Sequence, residues 1–63
     1  MNRFKEARIR AAIKQGNVAK ELGVRQSTVS MWETGNNMPR AELLPKIAKL
    51  YNCTVDELLR EPA

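Results

Sequence analysis

The stretch VAKELGVRQSTVSMWETG, residues 18–35, contains two short helical patterns separated by Gly23. The apolar residues at helical spacing are Val18, Ala19 and Leu22 before the glycine and Val29 and Trp32 after it. Glycine readily takes the left-handed backbone of a tight turn, and the small Ala19 leaves room for a second helix to cross closely. The pattern therefore predicts two helices that pack against each other across a short turn.

The second of these helices is unusually polar for its place in a basic protein. None of the 11 Lys and Arg residues falls within residues 26–34, which instead carry serines and threonines. These are poor helix formers, whereas Lys, Glu and Arg on an outer face would favour a helix. The composition of this segment therefore indicates a demand other than helix stability.

Five helices and no strand are predicted for the whole chain. The predicted helices run from Arg3 to about Ala11, from Gln15 to Leu22, from Gln26 to about Thr34, up to about Tyr51, and over a short segment after Thr54. Asn2 is the expected cap of the first helix, Pro45 predicts an irregular start of the fourth, and Thr54 with Glu57 forms a capping-box pattern for the fifth. Trp32 and Cys53 are expected to be buried. The sequence thus predicts an all-α, compact five-helix domain around one core.

Length and composition set further limits on the 63-residue chain, which we expect to form a single domain over residues 1–63. One cysteine and no histidine leave no internal disulfide and no metal site, and no cofactor is expected. Catalysis is not expected either, because no nucleophile elbow or phosphate-binding glycine loop is present. The absence of a long apolar run or a charged leader favours a cytoplasmic protein.

The charge is distributed unevenly along the chain. Residues 1–25 carry seven basic and two acidic residues, whereas residues 26–63 carry four and five. This asymmetry suggests that one end of the molecule faces a polyanion, although a merely solvated surface explains the charge alone equally well.

The segments VAKELGVRQSTVSMWETG (18–35) and AKLYNCTVDELL (48–59) resemble the lambda repressor/Cro-type (XRE-like) helix-turn-helix DNA-binding family, and the similarity covers nearly the whole chain. The resemblance implies a lambda-repressor-like fold with a helix-turn-helix core at about residues 15–34. It implies that the third helix lies in the major groove of double-stranded DNA while the second crosses the backbone. The implied function is transcription regulation, with repression as the default.

The resemblance also assigns side chains to the DNA. The residues expected to contact bases are Gln26, Ser27 and Met31, with Thr28 and Ser30 flanking them. The residues expected to contact phosphates are Lys14, Gln15, Arg25, Asn36, Asn37 and Arg40. Neutral amides and hydroxyls discriminate among base edges, whereas cations mainly fix position on the backbone. Ordinary exposed helix-start residues remain the alternative for Gln26 and Ser27, and an exposed apolar residue is the alternative for Met31.

Three features depart from simple expectations. Arg8 lies on the inward stripe of the first helix, and family resemblance pairs it with Glu33 in a structural ion pair whose disruption we expect to cost about 3–5 kcal/mol. Lys14 and Arg25 stand where Ser or Thr caps are usual, and Ala12 stands where a left-handed turn favours Gly or Asn. A cation at a helix start makes sense if a DNA phosphate completes the site.

A homodimer on a two-fold symmetric operator is expected, since one recognition helix reads too few base pairs. The predicted pairing surface consists of the fifth helix and the loop before it, where we expect that one subunit cannot bury all of four residues: Tyr51, Val55, Leu58 and Leu59. The alternative is an antitoxin-like or other protein-interaction module with the same fold, although little extra apolar surface or tail is evident. A domain of a longer regulator is also compatible with the sequence.

Overall fold

The computed structural model describes residues 3–60, and this part of the chain contains five α-helices and no strand. The elements are α1 (Phe4–Arg10), α2 (Gln15–Leu22), α3 (Gln26–Thr34), a 3₁₀ turn (Ala41–Leu43), α4 (Leu44–Leu50) and α5 (Val55–Leu59). The all-α prediction is confirmed. Within residues 3–60, no helix is both long and apolar enough to cross a membrane.

The helix pair α2 and α3 has the predicted bounds. Gly23 ends α2 at φ +70° and Gly35 ends α3 at φ +85°, both in the left-handed region that glycine enters without steric cost. The irregular start before α4 is also present, as the 3₁₀ turn, because Pro45 supplies no amide and occupies the first turn of the helix.

Helix α1 is one residue shorter at each end than predicted. Arg3 occupies the cap position with no side-chain cap, and Ala11 lies just beyond the last helical residue. The predicted cap Asn2 lies outside the described residues. The start of α1 is instead held by tertiary structure, since the Arg3 amide donates to the Leu58 carbonyl at 3.1 Å.

One core unites the five helices. Its buried members are Phe4, Val18, Ala19, Val29, Trp32, Leu43, Ile47, Ala48, Tyr51 and Leu58. The inward positions predicted for α2 and α3 are confirmed for Val18, Ala19, Val29 and Trp32, and Leu22 is partly buried and packs against this core. One subunit does not bury all four residues of the predicted pairing surface, as expected, but Tyr51 and Leu58 are 4% and 0% exposed and so are not available for pairing. Only Val55, half-buried, and Leu59, 41% exposed, remain partly available.

The start of α5 has half of the predicted capping box. The Thr54 hydroxyl oxygen accepts from the Glu57 amide at 3.1 Å, as a cap does. The reciprocal bond differs from the prediction, since the Glu57 carboxylate accepts the Thr54 hydroxyl at 3.2 Å and does not reach the Thr54 amide. Cys53, expected to be buried, is only half-buried, and burial raises the pKa of its thiol.

Three helix junctions repeat one backbone motif. Residues 12–14, 23–25 and 52–54 each begin with a left-handed residue, continue with a half-buried apolar one and end at an extended helix-cap residue. In each, the middle amide donates to the carbonyl five residues earlier, at 2.9 to 3.3 Å. Ala12 takes φ +60°, which confirms the left-handed turn expected there.

Candidate nucleic-acid interface

The outer face of α3 presents neutral polar groups. Gln26 and Ser27 are exposed at its start, and Thr28, Ser30 and Met31 are half-buried farther along. Val29 and Trp32 point into the core and fix which face turns outward. The structure therefore brings together, on one helix, all five side chains that were assigned to bases, with no charge among them.

The starts of α2 and α3 lie next to this face and are chemically alike. Lys14 and Arg25 are the cap residues, both exposed and extended, and neither side chain caps its helix. No acidic residue falls in the first turn of either helix. In the described part of the chain, the first two amides of each helix have no hydrogen-bond acceptor, namely those of Gln15, Gly16, Gln26 and Ser27. Free amides and a positive helix end together favour an anion.

Arg8 and Glu33 join α1 to the end of α3. Arg8 Nε lies 2.5 Å from Glu33 Oε2, and Arg8 Nη2 lies 3.2 Å from Oε1. The side chains are 14% and 4% exposed, so the pair is largely shielded from water. The hydrogen bond to Glu33 raises the pKa of Arg8, against the opposing effect of burial. Arg8 Nη1 also donates to the Ile13 carbonyl at 2.9 Å, which ties the α1–α2 junction to the same pair.

Gln15 extends this network toward the outer face of α3. Its Nε2 donates to Glu33 Oε1 at 2.9 Å, and its Oε1 accepts from Gln26 Nε2 at 3.5 Å. One hydrogen-bonded series thus runs from the interior to the exposed start of α3 through four side chains, those of Arg8, Glu33, Gln15 and Gln26. Gly16 flanks the series, because a β-carbon there would lie 3.7 Å from Gln26 Oε1.

The loop after α3 carries the remaining predicted phosphate contacts. The Asn36 and Asn37 amides donate to the Met31 carbonyl at 3.0 and 3.3 Å, and Asn37 Nδ2 lies 3.8 Å from Met31 Sδ. Both asparagines are exposed beside the end of α3. Arg40 is farther along the loop, and its Nε lies 3.5 Å from Glu42 Oε1 in an exposed ion pair. Part of the Arg40 charge is therefore offset within the chain.

The bond between Gln15 and Glu33 was not anticipated from the sequence. A weak signal was available, because a buried carboxylate with a single Arg partner has further lone pairs to satisfy. Helical periodicity alone could not identify Gln15 as the donor, since 18 residues separate the two.

Comparison with known proteins agrees with this geometry. The family model described as "Helix-turn-helix" matches residues 4–58. The chain is 40% identical over 45 residues to the HTH-type transcriptional activator BcrR of Enterococcus faecalis, covering 71% of this chain and 22% of that protein. It is 34% identical over 56 residues to an uncharacterized HTH-type transcriptional regulator of Archaeoglobus fulgidus, covering 89% and 80%. No solved structure matches significantly.

A phage protein is also similar. The cryptic phage CTXphi transcriptional repressor RstR of Vibrio cholerae is 28% identical over 60 residues, covering 95% of this chain and 54% of the repressor. The chain thus spans about a fifth of the activator and about half of the repressor. It belongs to the helix-turn-helix family of transcription regulators, of the XRE or lambda-repressor-like type.

Proposed function

We propose that this member of the helix-turn-helix family binds a specific double-stranded DNA sequence through α3 in the major groove and thereby represses transcription. The observation that carries the proposal is the pairing of the uncharged outer face of α3 with two basic helix starts whose first amides are free. Amides and hydroxyls suit base edges, and free amides beside Lys14 and Arg25 suit phosphates. A DNA target also makes the cytoplasm the proposed place of action.

The active form is proposed to be a homodimer on a two-fold symmetric operator. Helix α3 has nine residues, so it is about 13 Å long and faces roughly four base pairs. That is too few for a genomic address, whereas two half-sites about 34 Å apart supply twice as many. Leu59 and Val55 on α5 are the remaining apolar contacts for a weak dimer, which DNA then stabilises.

The experiment selects binding sites from random duplex DNA and then compares variants on the selected and a scrambled duplex. Gln26→Ala is expected to relax one base position and to cost about 1–3 kcal/mol on the selected duplex only. Lys14→Ala and Arg40→Ala are expected to weaken both duplexes alike and to reduce the salt dependence.

Several outcomes would count against the proposal. Selection that enriches no sequence removes sequence-specific binding. If Gln26→Ala lowers the affinity for both duplexes equally, Gln26 does not contact a base. If the footprint at saturation covers only one half-site, the protein does not bind as a dimer. A reporter gene carrying the selected site at its promoter tests the direction of regulation, and repression requires lower expression when the protein is present.

A further inference from the structure

The hydrogen-bonded series from Arg8 to Gln26 has a direction. A guanidinium can only donate hydrogen bonds and a carboxylate can only accept them. Glu33 accepts from Arg8 through both oxygens, and its Oε1 also accepts from Gln15 Nε2 at 2.9 Å. The carboxylate therefore obliges Gln15 to turn its NH₂ group inward.

The orientation of the Gln15 amide in turn determines which atom it presents to Gln26, at the exposed end of the series. Because its NH₂ group faces Glu33, Gln15 directs its carbonyl oxygen toward Gln26. Gln26 Nε2 donates to this oxygen at 3.5 Å. The second amide atom of Gln26, Oε1, lies on the side of Gly16, 3.7 Å from the position that a β-carbon there would occupy. The Glu33 side chain, which is 4% exposed, is thus linked through Gln15 to the exposed amide of Gln26.

We propose that Glu33 is a specificity-determining residue, which selects adenine at the base pair that Gln26 faces by fixing the orientation of the Gln15 and Gln26 amides. The inference rests on the proposed function. In this orientation Gln26 keeps one N–H and its carbonyl oxygen for the groove. This donor and acceptor match the N7 acceptor and the N6 donor of adenine. Glu33 itself touches no DNA and acts as a positioning residue.

The test reverses the series with Glu33→Gln. Arg8 Nε makes the shorter of the two Arg8 contacts, at 2.5 Å, so the amide oxygen is expected to face Nε and the NH₂ group to replace Oε1 opposite Gln15. Arg8 Nη2, which donates to Oε1 at 3.2 Å, loses that acceptor. Gln15 then turns its NH₂ group to Gln26, which accepts through its oxygen and offers its NH₂ group to the groove. Two donors match the N7 and O6 acceptors of guanine. The ratio of adenine to guanine affinity at that base pair is expected to fall by about tenfold.

Gln15→Met provides the matched control, because it keeps the side-chain length and the Arg8–Glu33 pair but removes the amide. The adenine preference is expected to flatten in this variant without reversing. Adding Glu33→Gln to Gln15→Met is expected to leave the ratio unchanged, since the series is already broken. Circular dichroism at the assay temperature establishes that each variant is folded. If Glu33→Gln does not fold, Gln15→Met decides alone, and an unaltered adenine preference in it overturns the inference.

The parent protein and Gln26→Ala separate this inference from the proposed function. If the parent binds all duplexes equally, the proposed function fails. If Gln26→Ala abolishes a base preference that Gln15→Met and Glu33→Gln both leave intact, sequence-specific binding stands and only the role of Glu33 is refuted. A parent preference for any base other than adenine at the position relaxed by Gln26→Ala refutes it equally.

Discussion

The junctions at residues 12–14 and 52–54 follow the same backbone path with different side chains. In the second, Asn52 takes the left-handed position, which suits its short polar side chain, and Thr54 caps α5. In the first, Ala12 takes the left-handed position and Lys14 caps nothing. The α4–α5 junction is thus locally favourable and the α1–α2 junction is not.

The starts of α5 and α2 differ in what stabilises them. The α5 start carries Asp56 and Glu57 in its first turn, which complement the positive helix end. The α2 start carries no acid, but Arg8 donates to the Ile13 carbonyl from outside the junction. We infer that tertiary contacts hold the α1–α2 junction in place while its amides stay free for a phosphate.

The largest expected effect comes from removing the outside support with Arg8→Ala. This change leaves the Glu33 carboxylate buried without its cation and frees the Ile13 carbonyl. We expect the free energy of unfolding to fall by about 3–5 kcal/mol, a large share of a small domain's stability. Urea unfolding followed by circular dichroism measures it, and a loss below about 1 kcal/mol would contradict the structural importance of the pair.

The second-largest expected effect is a loss of folding stability at alkaline pH, which arises from Tyr51 at the end of α4. Burial, with help from the Glu33 carboxylate, raises the pKa of Tyr51 to about 12 from its ordinary value of 10.0. The folded state therefore holds the phenol proton more tightly, and stability that is complete below pH 10 is lost as the pH rises toward 12. The expected loss is about 2–3 kcal/mol.

Chemical unfolding between pH 8 and 12 tests this loss, with Tyr51→Phe as the control because it removes only the titrating hydroxyl. The control is expected to lose clearly less stability over the same pH range. Parallel curves for the two proteins would mean that other groups, such as lysines, cause the decline.

The helix starts are expected to respond to substitution with opposite signs. Thr54→Ala removes a cap and should cost about 1 kcal/mol. Lys14→Ser and Arg25→Ser each supply a cap and remove a cation from a positive helix end. Each should therefore raise the free energy of unfolding of the free protein by up to about 1 kcal/mol, and its melting temperature with it. The same two variants should bind DNA more weakly.

Thermal melts with and without DNA measure both properties of the cap variants. Lower melting temperatures for the serine variants in the absence of any anion would mean that Lys14 and Arg25 make stabilising contacts in the free protein. The phosphate-site interpretation of these two residues would then be dropped.

The smallest expected effect belongs to the left-handed positions. Ala12→Gly relieves the cost of φ +60°, but it also makes the unfolded chain more flexible, so a net gain of about 0.5 kcal/mol is expected. The matched change Asn52→Gly, at φ +56°, should gain less because asparagine already tolerates this region. Equal gains in urea unfolding would show that the two junctions do not differ in backbone strain.

The sequence by itself determined the features that depend on neighbouring residues. The structure has the predicted bounds of α2 and α3 and the predicted left-handed Gly23. Neither Lys14 nor Arg25 caps its helix with its side chain, as the sequence also predicts. Helical periodicity, glycine geometry and capping operate within one or two turns of chain, so local residues suffice to fix them. The family was recognisable for the same reason, because its motifs lie in contiguous segments.

Only the tertiary structure decided how distant side chains meet. Tyr51 and Leu58 are buried within one subunit because α5 folds back against α1, where the Arg3 amide meets the Leu58 carbonyl. Glu33 meets Gln15 across 18 residues because α2 and α3 pack closely. Such contacts depend on helix crossing and on the rotamers that packing permits, neither of which the periodicity of a single helix specifies.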